Sequence, residues 1–160
     1  TLAGSSAASD VYKRQIGTDT VAFLVDPLLN SENSTIRSSC AKALAQIAYN
    51  CGDIPFPSEG IEGLKKGLND SHPVVYIASA MALGVIGVPA LDSLLEVLDE
   101  TDNVGLAVAI LNAVSSISDD RSRKVLTKLA NDESADTYVR QTADGALSRL
   151  DMLKFKSRPD

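Results

Sequence analysis

Residues 36–47, IRSSCAKALAQI, carry a spacing that returns three more times in this 160-residue chain. Apolar or small residues stand at positions i, i+4, i+7, i+8 and i+11, so they lie on one face of a helix about three turns long. We name these five positions the helical frame. Its four copies are Ile36, Cys40, Ala43, Leu44 and Ile47; Val75, Ser79, Ala82, Leu83 and Ile86; Leu106, Ile110, Ala113, Val114 and Ile117; and Val139, Ala143, Ala146, Leu147 and Leu150. Four copies of one helical face predict a repeat protein.

The intervals between the copies indicate the type of repeat. The fourth frame residues are 39, 31 and 33 residues apart, which is typical of stacked helix pairs and too short for a propeller blade or a kelch unit. A first helix precedes each frame helix, and Thr18 or Asp19 is the predicted cap of the earliest one. The sequence therefore predicts an all-α fold, an α-solenoid of about four helix pairs in a right-handed superhelix, without strands.

Both ends of the chain fall outside the repeat. Residues 1–17 are biased toward Gly, Ser and Ala without a helical period, and the run SSAASDVYKRQ resembles a translated adapter scar. We therefore predict three parts: 1–17 is a non-native or disordered segment, 18–151 is the repeat domain, and 152–160 is a polar tail. The native N-terminus, with any targeting signal, is then expected to be missing.

Composition narrows the possible functions. Hydrophobic residues make up 44% of the chain and aromatic residues 4%, so the core must consist of aliphatic side chains. The net charge of -6 argues against nucleic-acid binding, which depends on Lys and Arg. The apolar runs are far shorter than the roughly 20 residues that span a bilayer. We expect an intracellular protein, cytoplasmic or plastid, with neither a nucleic-acid nor a membrane partner.

Charge is unevenly distributed along the chain. Residues 67–120 contain eight Asp or Glu and no Lys or Arg, whereas residues 121–160 contain nine basic residues against six acidic ones. The acidic residues of the middle either solvate helix ends and turns or form a strip that meets a basic partner. The sequence leaves both interpretations open.

Residues that could carry chemistry are sparse. His72 is the only histidine, and its place before Pro73 favours a helix cap or a contact with solvent over a metal ligand. Cys40 lies in the helical frame and Cys51 in a loop, without CxxC or zinc spacing, so we predict two reduced thiols. No phosphate-binding glycine motif occurs. We therefore predict no catalytic residue, no metal and no cofactor.

The runs LLNSENSTIRSSCAKALAQIA, LNDSHPVVYIASAMALGVIG and LANDESADTYVRQTADGALSRL resemble HEAT repeats. The second helix of such repeats commonly opens with an aliphatic residue followed by Arg and continues toward an Ala-Leu pair. The first and last copies carry this opening pair, as Ile36 with Arg37 and Val139 with Arg140. The two middle copies depart from it, with Val75 followed by Tyr76 and Leu106 followed by Ala107. The resemblance implies a ladder of polar contacts made by the Arg residues, broken in the middle of the chain.

The resemblance bears on function as well as fold. The spacing near 31 residues is similar to the HEAT-like repeats of phycobilisome lyase subunits and of bacterial and plastid scaffolds. The HEAT-fold hydroxylases, which hold iron with His-Glu pairs, are excluded by the single histidine. Two functions remain. The first is a non-catalytic protein-protein interaction scaffold for a protein or peptide, and a basic partner would fit the acidic middle of the chain. The alternative is a HEAT-like subunit of a bilin lyase, which assists covalent attachment of a tetrapyrrole to a protein cysteine.

The aromatic content of the chain favours one of these two functions. A subunit that binds pigment should offer a sizeable groove with aromatic residues and a few convergent polar groups, and aromatic residues are scarce here. The sequence therefore favours the scaffold.

The two middle frame helices are apolar nearly all round. Ile77, Val85 and Val108 add to their frames, so we expect these helices to be covered on several sides. Five positions after the frame start, Asp144 is charged where the other copies carry Ala or Leu. This difference predicts that the last frame helix ends the stack with a polar face.

Frame-helix residues that point away from the core are the predicted contact surface, because second helices line the concave side of HEAT-like stacks. Tyr76 and Met81 are the predicted anchors; the alternative is that both are buried between repeats two and three. Phe56, in the insertion YNCGDIPFPSEG at 49–60, either packs on the end of repeat one or binds a partner. The predicted partner-binding residues are Arg37, Lys42, Tyr76, Met81, Asn112, Arg140, Asp144 and Phe56.

Overall fold

The structure of the protein is a computed structural model. It describes the backbone of residues 2–156 and the side chains of residues 11, 15 and 17–153. Within that range the chain forms eight helices and no strand, which confirms the predicted all-α class. The helices are α1 (Leu2–Asn30), α2 (Ser34–Asn50), α3 (Ser58–Gly67), α4 (Pro73–Ile86), α5 (Val88–Glu100), α6 (Val104–Val114), α7 (Asp120–Ala130) and α8 (Thr137–Lys156).

The helices pack in two layers. The frame helices α2, α4, α6 and α8 lie side by side in one layer, and α1, α3 and α5 follow one another in the other. Each odd-numbered helix also packs on the even-numbered helix that follows it. Stacked helix pairs of this kind make an α-solenoid, as the four-fold frame predicts.

The helical frame forms the core. Leu44, Leu83, Ile110 and Leu150 are almost fully enclosed, and the other frame residues are buried or half-buried with one exception. Ile36 is 47% exposed. It lies in the first turn of α2, which has a neighbouring even-numbered helix on one side only within the described chain. The frame therefore predicted the core correctly except at this edge.

The helices at both ends of the chain extend past the predicted bounds of the repeat domain. The expected start of the first helix at Thr18 or Asp19 is wrong, because α1 runs without interruption from Leu2. Residues 2–17 contain three Ala, the strongest helix former, and no Pro. At the other end α8 passes residue 151 and is described as far as Lys156, and residues 157–160 of the predicted tail lie outside the described residues. The assignment of 1–17 as non-native stays a prediction.

Helix starts are set by side-chain caps in several places. Asn33, Asn103 and Asp119 each accept a backbone N–H of the first turn of the helix that follows. His72 occupies the cap position of α4, as predicted, but its side chain makes no capping hydrogen bond. Asp70 supplies a nearby contact instead, since its Oδ1 accepts the His72 backbone N–H at 2.9 Å.

Glycines allow the helices to approach one another closely. A Cβ added at Gly63 of α3 would lie 2.9 Å from Val25 Cγ1 of α1, nearer than real Cβ atoms come. At Gly84 of α4 the nearest atoms are the Cα and Cβ of Ala113 on α6, both 3.1 Å away from such a Cβ. The spacing of the stack therefore depends on the absence of side chains at these positions.

Candidate functional site

An apolar ridge on α4 is exposed in the layer of frame helices. Ile77, Met81 and Val85 are 51%, 47% and 42% exposed, and their spacing of four residues lines them up along one side of the helix. We name these three residues the α4 ridge. As expected, α4 is covered on several sides, since α2, α3, α5 and α6 all contact it. The side that carries the α4 ridge is exposed.

The α4 ridge borders a groove of about 250 Å³ between α4 and α6. Its other wall consists of small residues of α6, so the groove is shallow and mostly apolar. Asn112, a predicted contact residue, lines it beside Met81. The lining on α6 is Ala109, Asn112, Ala113 and Ser116.

The two predicted anchors have different environments. Tyr76 is only 8% exposed, and its Oη lies 2.7 Å from where a Cβ of Gly105 would be. Gly105 belongs to the first turn of α6, so Tyr76 is buried between repeats two and three. Met81 is exposed on the α4 ridge. A contact between Met81 and a partner stays a prediction, and Tyr76 has no such free surface.

Arg37 is held inside the stack by an acidic residue of the next repeat. Its Nε and Nη2 donate to Asp70 Oδ2 and Oδ1 at 2.6 and 3.0 Å, and its Nη1 donates to the carbonyl oxygens of Ser31 and Glu32. The hydrogen bond from Arg37 lowers the pKa of Asp70, assisted by the backbone N–H of His72 and opposed by burial. This bidentate pair is one contact of the predicted polar ladder.

The Arg37–Asp70 pair predicts a pH-dependent contribution to stability. Folding lowers the pKa of Asp70, so the ionised carboxylate stabilises the folded state. This stabilisation is fully present above the pKa of the unfolded state, about 4, and is lost as the pH falls through the lower pKa of the folded state. Asp70→Asn should therefore lower the melting temperature near pH 7, and the difference from wild type should narrow in acid. Thermal melts from pH 7 to pH 3 measure it. Asp99→Asn, at an exposed position of α5, is the control. A constant difference across that pH range would contradict the prediction.

Arg149 of α8 reaches across to α6. Its Nη2 donates to Asn112 Oδ1 at 2.7 Å, and its Nε donates to Ser115 Oγ at 3.2 Å. Sequence reasoning missed this residue, although a signal was present. Arg149 stands ten positions after its frame start, as Val85 and Ser116 do in the preceding copies, so the three residues share one side of the layer.

A second groove, of about 350 Å³, lies between α6 and α8. Ser116 lines both grooves, which makes them adjacent. Met152 and Leu153 supply its apolar part and are 59% and 39% exposed. The two grooves and the strip of α6 between them form one surface, which we name the concave trough.

Three other predicted contact residues lie outside the concave trough. Lys42 is exposed on α2, and Asp144 is exposed on α8. Arg140 occupies the position in α8 that Arg37 has in α2, and it is half-buried there. The structure therefore brings together Met81 and Asn112 from the predicted set and leaves these three apart from them.

The insertion between the first two repeats packs down onto the helices. Phe56 is half-buried against the core, and its Cε1 lies 2.5 Å from where a Cβ of Gly60 would be. Its ring therefore lies over the first turn of α3, which agrees with the packed-down interpretation. Phe56 also lines a cavity of about 430 Å³ with Cys51 and Pro89, and its role in partner binding stays a prediction.

The comparison with known protein families matches HEAT repeats over residues 61–148, which is more than half of the chain. The chain belongs to the HEAT-repeat family. This confirms the resemblance inferred from the three runs and from the aliphatic-Arg pairs.

Two curated proteins are similar to most of the chain. The uncharacterized phycocyanin operon protein Z of Pseudanabaena tenuis (strain PCC 7409) is 51% identical over 138 residues, covering 86% of this chain and 68% of the relative. The bilin biosynthesis protein CpeZ of Synechococcus sp. (strain WH8020) is 27% identical over 135 residues, covering 81% of this chain and 73% of the relative.

Among solved structures, the HEAT-repeat fold is shared with human deoxyhypusine hydroxylase. That structure superposes with a TM-score of 0.75 at 17% sequence identity. The match covers 92% of this chain and about half, 49%, of the hydroxylase chain. Identity at this level shows a common fold alone.

Ion pairs join successive HEAT repeats along the layer of odd-numbered helices. Lys65 of α3 pairs with Glu96 of α5 at 2.7 Å, and Arg121 of α7 pairs with Asp92 of α5. The hydrogen bond from Arg121 also lowers the pKa of Asp119. The acidic middle of the chain is therefore partly neutralised by basic residues of the flanking repeats. Whether the remaining carboxylates meet a basic partner stays a prediction.

The two cysteines differ in burial. Burial raises the pKa of the Cys40 thiol, which makes it a poor nucleophile at neutral pH. Cys51 is half-buried in the insertion, and both thiols are free.

Among the described residues, no three His, Cys, Asp or Glu side chains are placed to share a metal ion. Nor is any helix in that part of the chain both long and apolar enough to cross a bilayer.

Proposed function

We propose that this chain is a HEAT-repeat subunit that acts in the attachment of a bilin to protein. The observation that carries the proposal is the 51% identity over 138 residues to the phycocyanin operon protein. The 27% identity to the bilin biosynthesis protein supports the same proposed role. These relatives favour the bilin-lyase alternative over the general scaffold that the scarce aromatic residues led us to prefer.

The concave trough provides a surface suited to this role. The α4 ridge gives it an aliphatic wall in place of the expected aromatic residues, and Asn112 and Arg149 converge on it as polar groups. We assign the chain a non-catalytic part, in which the trough holds the pigment or the protein that receives it. Because both relatives come from cyanobacteria, we favour the cytoplasmic location over the plastid one.

A complementation experiment tests the proposed function. In a Pseudanabaena strain that lacks the operon protein Z, phycobiliproteins should carry less covalently bound bilin, and expression of this chain should restore it. Zinc-induced fluorescence of denatured phycobiliproteins measures the bound bilin. Expression that leaves the bound bilin at the level of the deletion strain would contradict the proposal.

The α4 ridge can be tested in the same strain. Met81→Glu should fail to restore bilin attachment, because a carboxylate on the ridge is incompatible with an apolar contact. The variant should fold, since Met81 is 47% exposed. Phe23→Glu is the matched control, because Phe23 is 78% exposed on α1, in the other layer of the solenoid, and it should restore attachment like wild type. Equal restoration by both variants would exclude the ridge from the function.

A further inference from the structure

The guanidinium of Arg149 has unused hydrogen-bonding capacity. Two of its five N–H groups are occupied, by Asn112 Oδ1 and Ser115 Oγ. Neither acceptor is charged, and no acidic side chain of the described chain pairs with Arg149. By contrast, the guanidinium groups of Arg37, Arg121 and Arg123 are each bound by at least one carboxylate.

The surroundings of Arg149 leave this capacity accessible. Gly145 lies one turn earlier on α8, and a Cβ added there would meet only Arg149 Nη1, at 3.8 Å. The contacts with Asn112 and Ser115 hold the side chain against α6, where it lines the groove between α6 and α8. Arg149 itself is exposed, so the site presents a fixed cation with free donors.

The concave trough is apolar at both ends, and Arg149 lies beside the α8 end. The α4 ridge lies on one side and Met152 with Leu153 on the other, and the floor between them is made of small α6 residues. Neighbouring helices lie about 8–10 Å apart, so α4 and α8 are about 16–20 Å apart across α6. The adjacent grooves, of about 250 and 350 Å³, are together of the size that holds an organic ligand.

We infer that the concave trough binds a linear tetrapyrrole lying across α6, with Arg149 binding a propionate carboxylate. The choice of a bilin as ligand rests on the proposed function. A bilin combines an extended, conjugated apolar body with carboxylates on flexible arms. The flat floor and the aliphatic ends of the trough suit the apolar body, and the fork of the guanidinium suits a carboxylate.

Titration with biliverdin, a bilin with two propionates, tests the inference. The purified chain should change the absorbance of biliverdin and induce circular dichroism in it. Arg149→Gln should weaken the affinity about tenfold or more, because it removes a charge-assisted hydrogen bond. Lys124→Gln, which removes an exposed cation from α7, should leave the affinity unchanged.

Biliverdin dimethyl ester provides the matching change in the ligand. The ester lacks ionised carboxylates, so wild type should bind it about tenfold more weakly than the acid. Arg149→Gln should bind the ester and the acid alike, which completes a double-mutant cycle between the residue and the carboxylate. Met81→Glu should abolish binding of both ligands, because it places a charge on the apolar wall. Melting temperatures establish that each variant is folded.

Several results would overturn the inference. Arg149→Gln that binds biliverdin as tightly as wild type excludes the cationic anchor, and so does equal binding of the acid and the ester by wild type. Binding of an acidic amphipathic helix at Arg149, without binding of biliverdin, makes the occupant a protein. Restored bilin attachment in the complemented strain without biliverdin binding overturns the inference alone. Biliverdin binding through Arg149 without restored attachment overturns the proposed function alone.

Discussion

Leu83→Ala should lower the free energy of unfolding by about 2–5 kcal/mol, the usual cost of deleting a buried Leu side chain. Leu83 has no exposed surface, and α4 is contacted by α2, α3, α5 and α6. The cavity left by the substitution would therefore be enclosed by several helices that cannot all relax into it. Chemical denaturation of wild type and variant measures the loss.

The effect of Leu83→Ala should also spread along the stack. Each repeat of a solenoid is stabilised by the interfaces with its neighbours, so weakening α4 should lower amide-exchange protection in α2 and α6 as well. Val85→Ala is the control, because Val85 stands two residues further along α4 and is 42% exposed. A loss of stability from Leu83→Ala no larger than that from Val85→Ala would show that the frame position is not the core.

The fold could be predicted from the sequence because the helical frame repeats. A spacing of four, three, one and three residues reports which side of a helix is buried, and the same side recurs in α2, α4, α6 and α8. The prediction fails where a local pattern cannot report the neighbours. Ile36 matches the frame, but only the packing of α2 shows that its first turn is left uncovered.

The candidate site was harder to predict because it depends on contacts between repeats. Tyr76 and Met81 are both large and lie on the same helix, so the pattern predicted both of them as anchors. Their environments differ because of Gly105, whose missing side chain leaves room for the buried Tyr76 hydroxyl. Arg149 reaches Ser115 over 34 positions of sequence, a contact fixed by the register of the stack and by no local motif.

Gly63→Ala should destabilise the protein by about 1–3 kcal/mol, although Ala is the better helix former. A Cβ at this position would lie 2.9 and 3.0 Å from the two methyl groups of Val25. Val is held to one rotamer in a helix, so neither methyl group can turn away, and α1 must shift from α3. Thermal melts and denaturant titrations measure the loss.

Gly145→Ala is the control for Gly63→Ala, because the substitution is the same and the space around it is different. The added methyl group would meet only Arg149 Nη1, at 3.8 Å, so the gain in helix propensity should raise stability by up to about 1 kcal/mol. Adding Val25→Ala should relieve most of the cost of Gly63→Ala, because it removes the two methyl groups in contact. If Gly63→Ala stabilises the protein as much as Gly145→Ala does, α1 and α3 are not packed as closely as the structure shows.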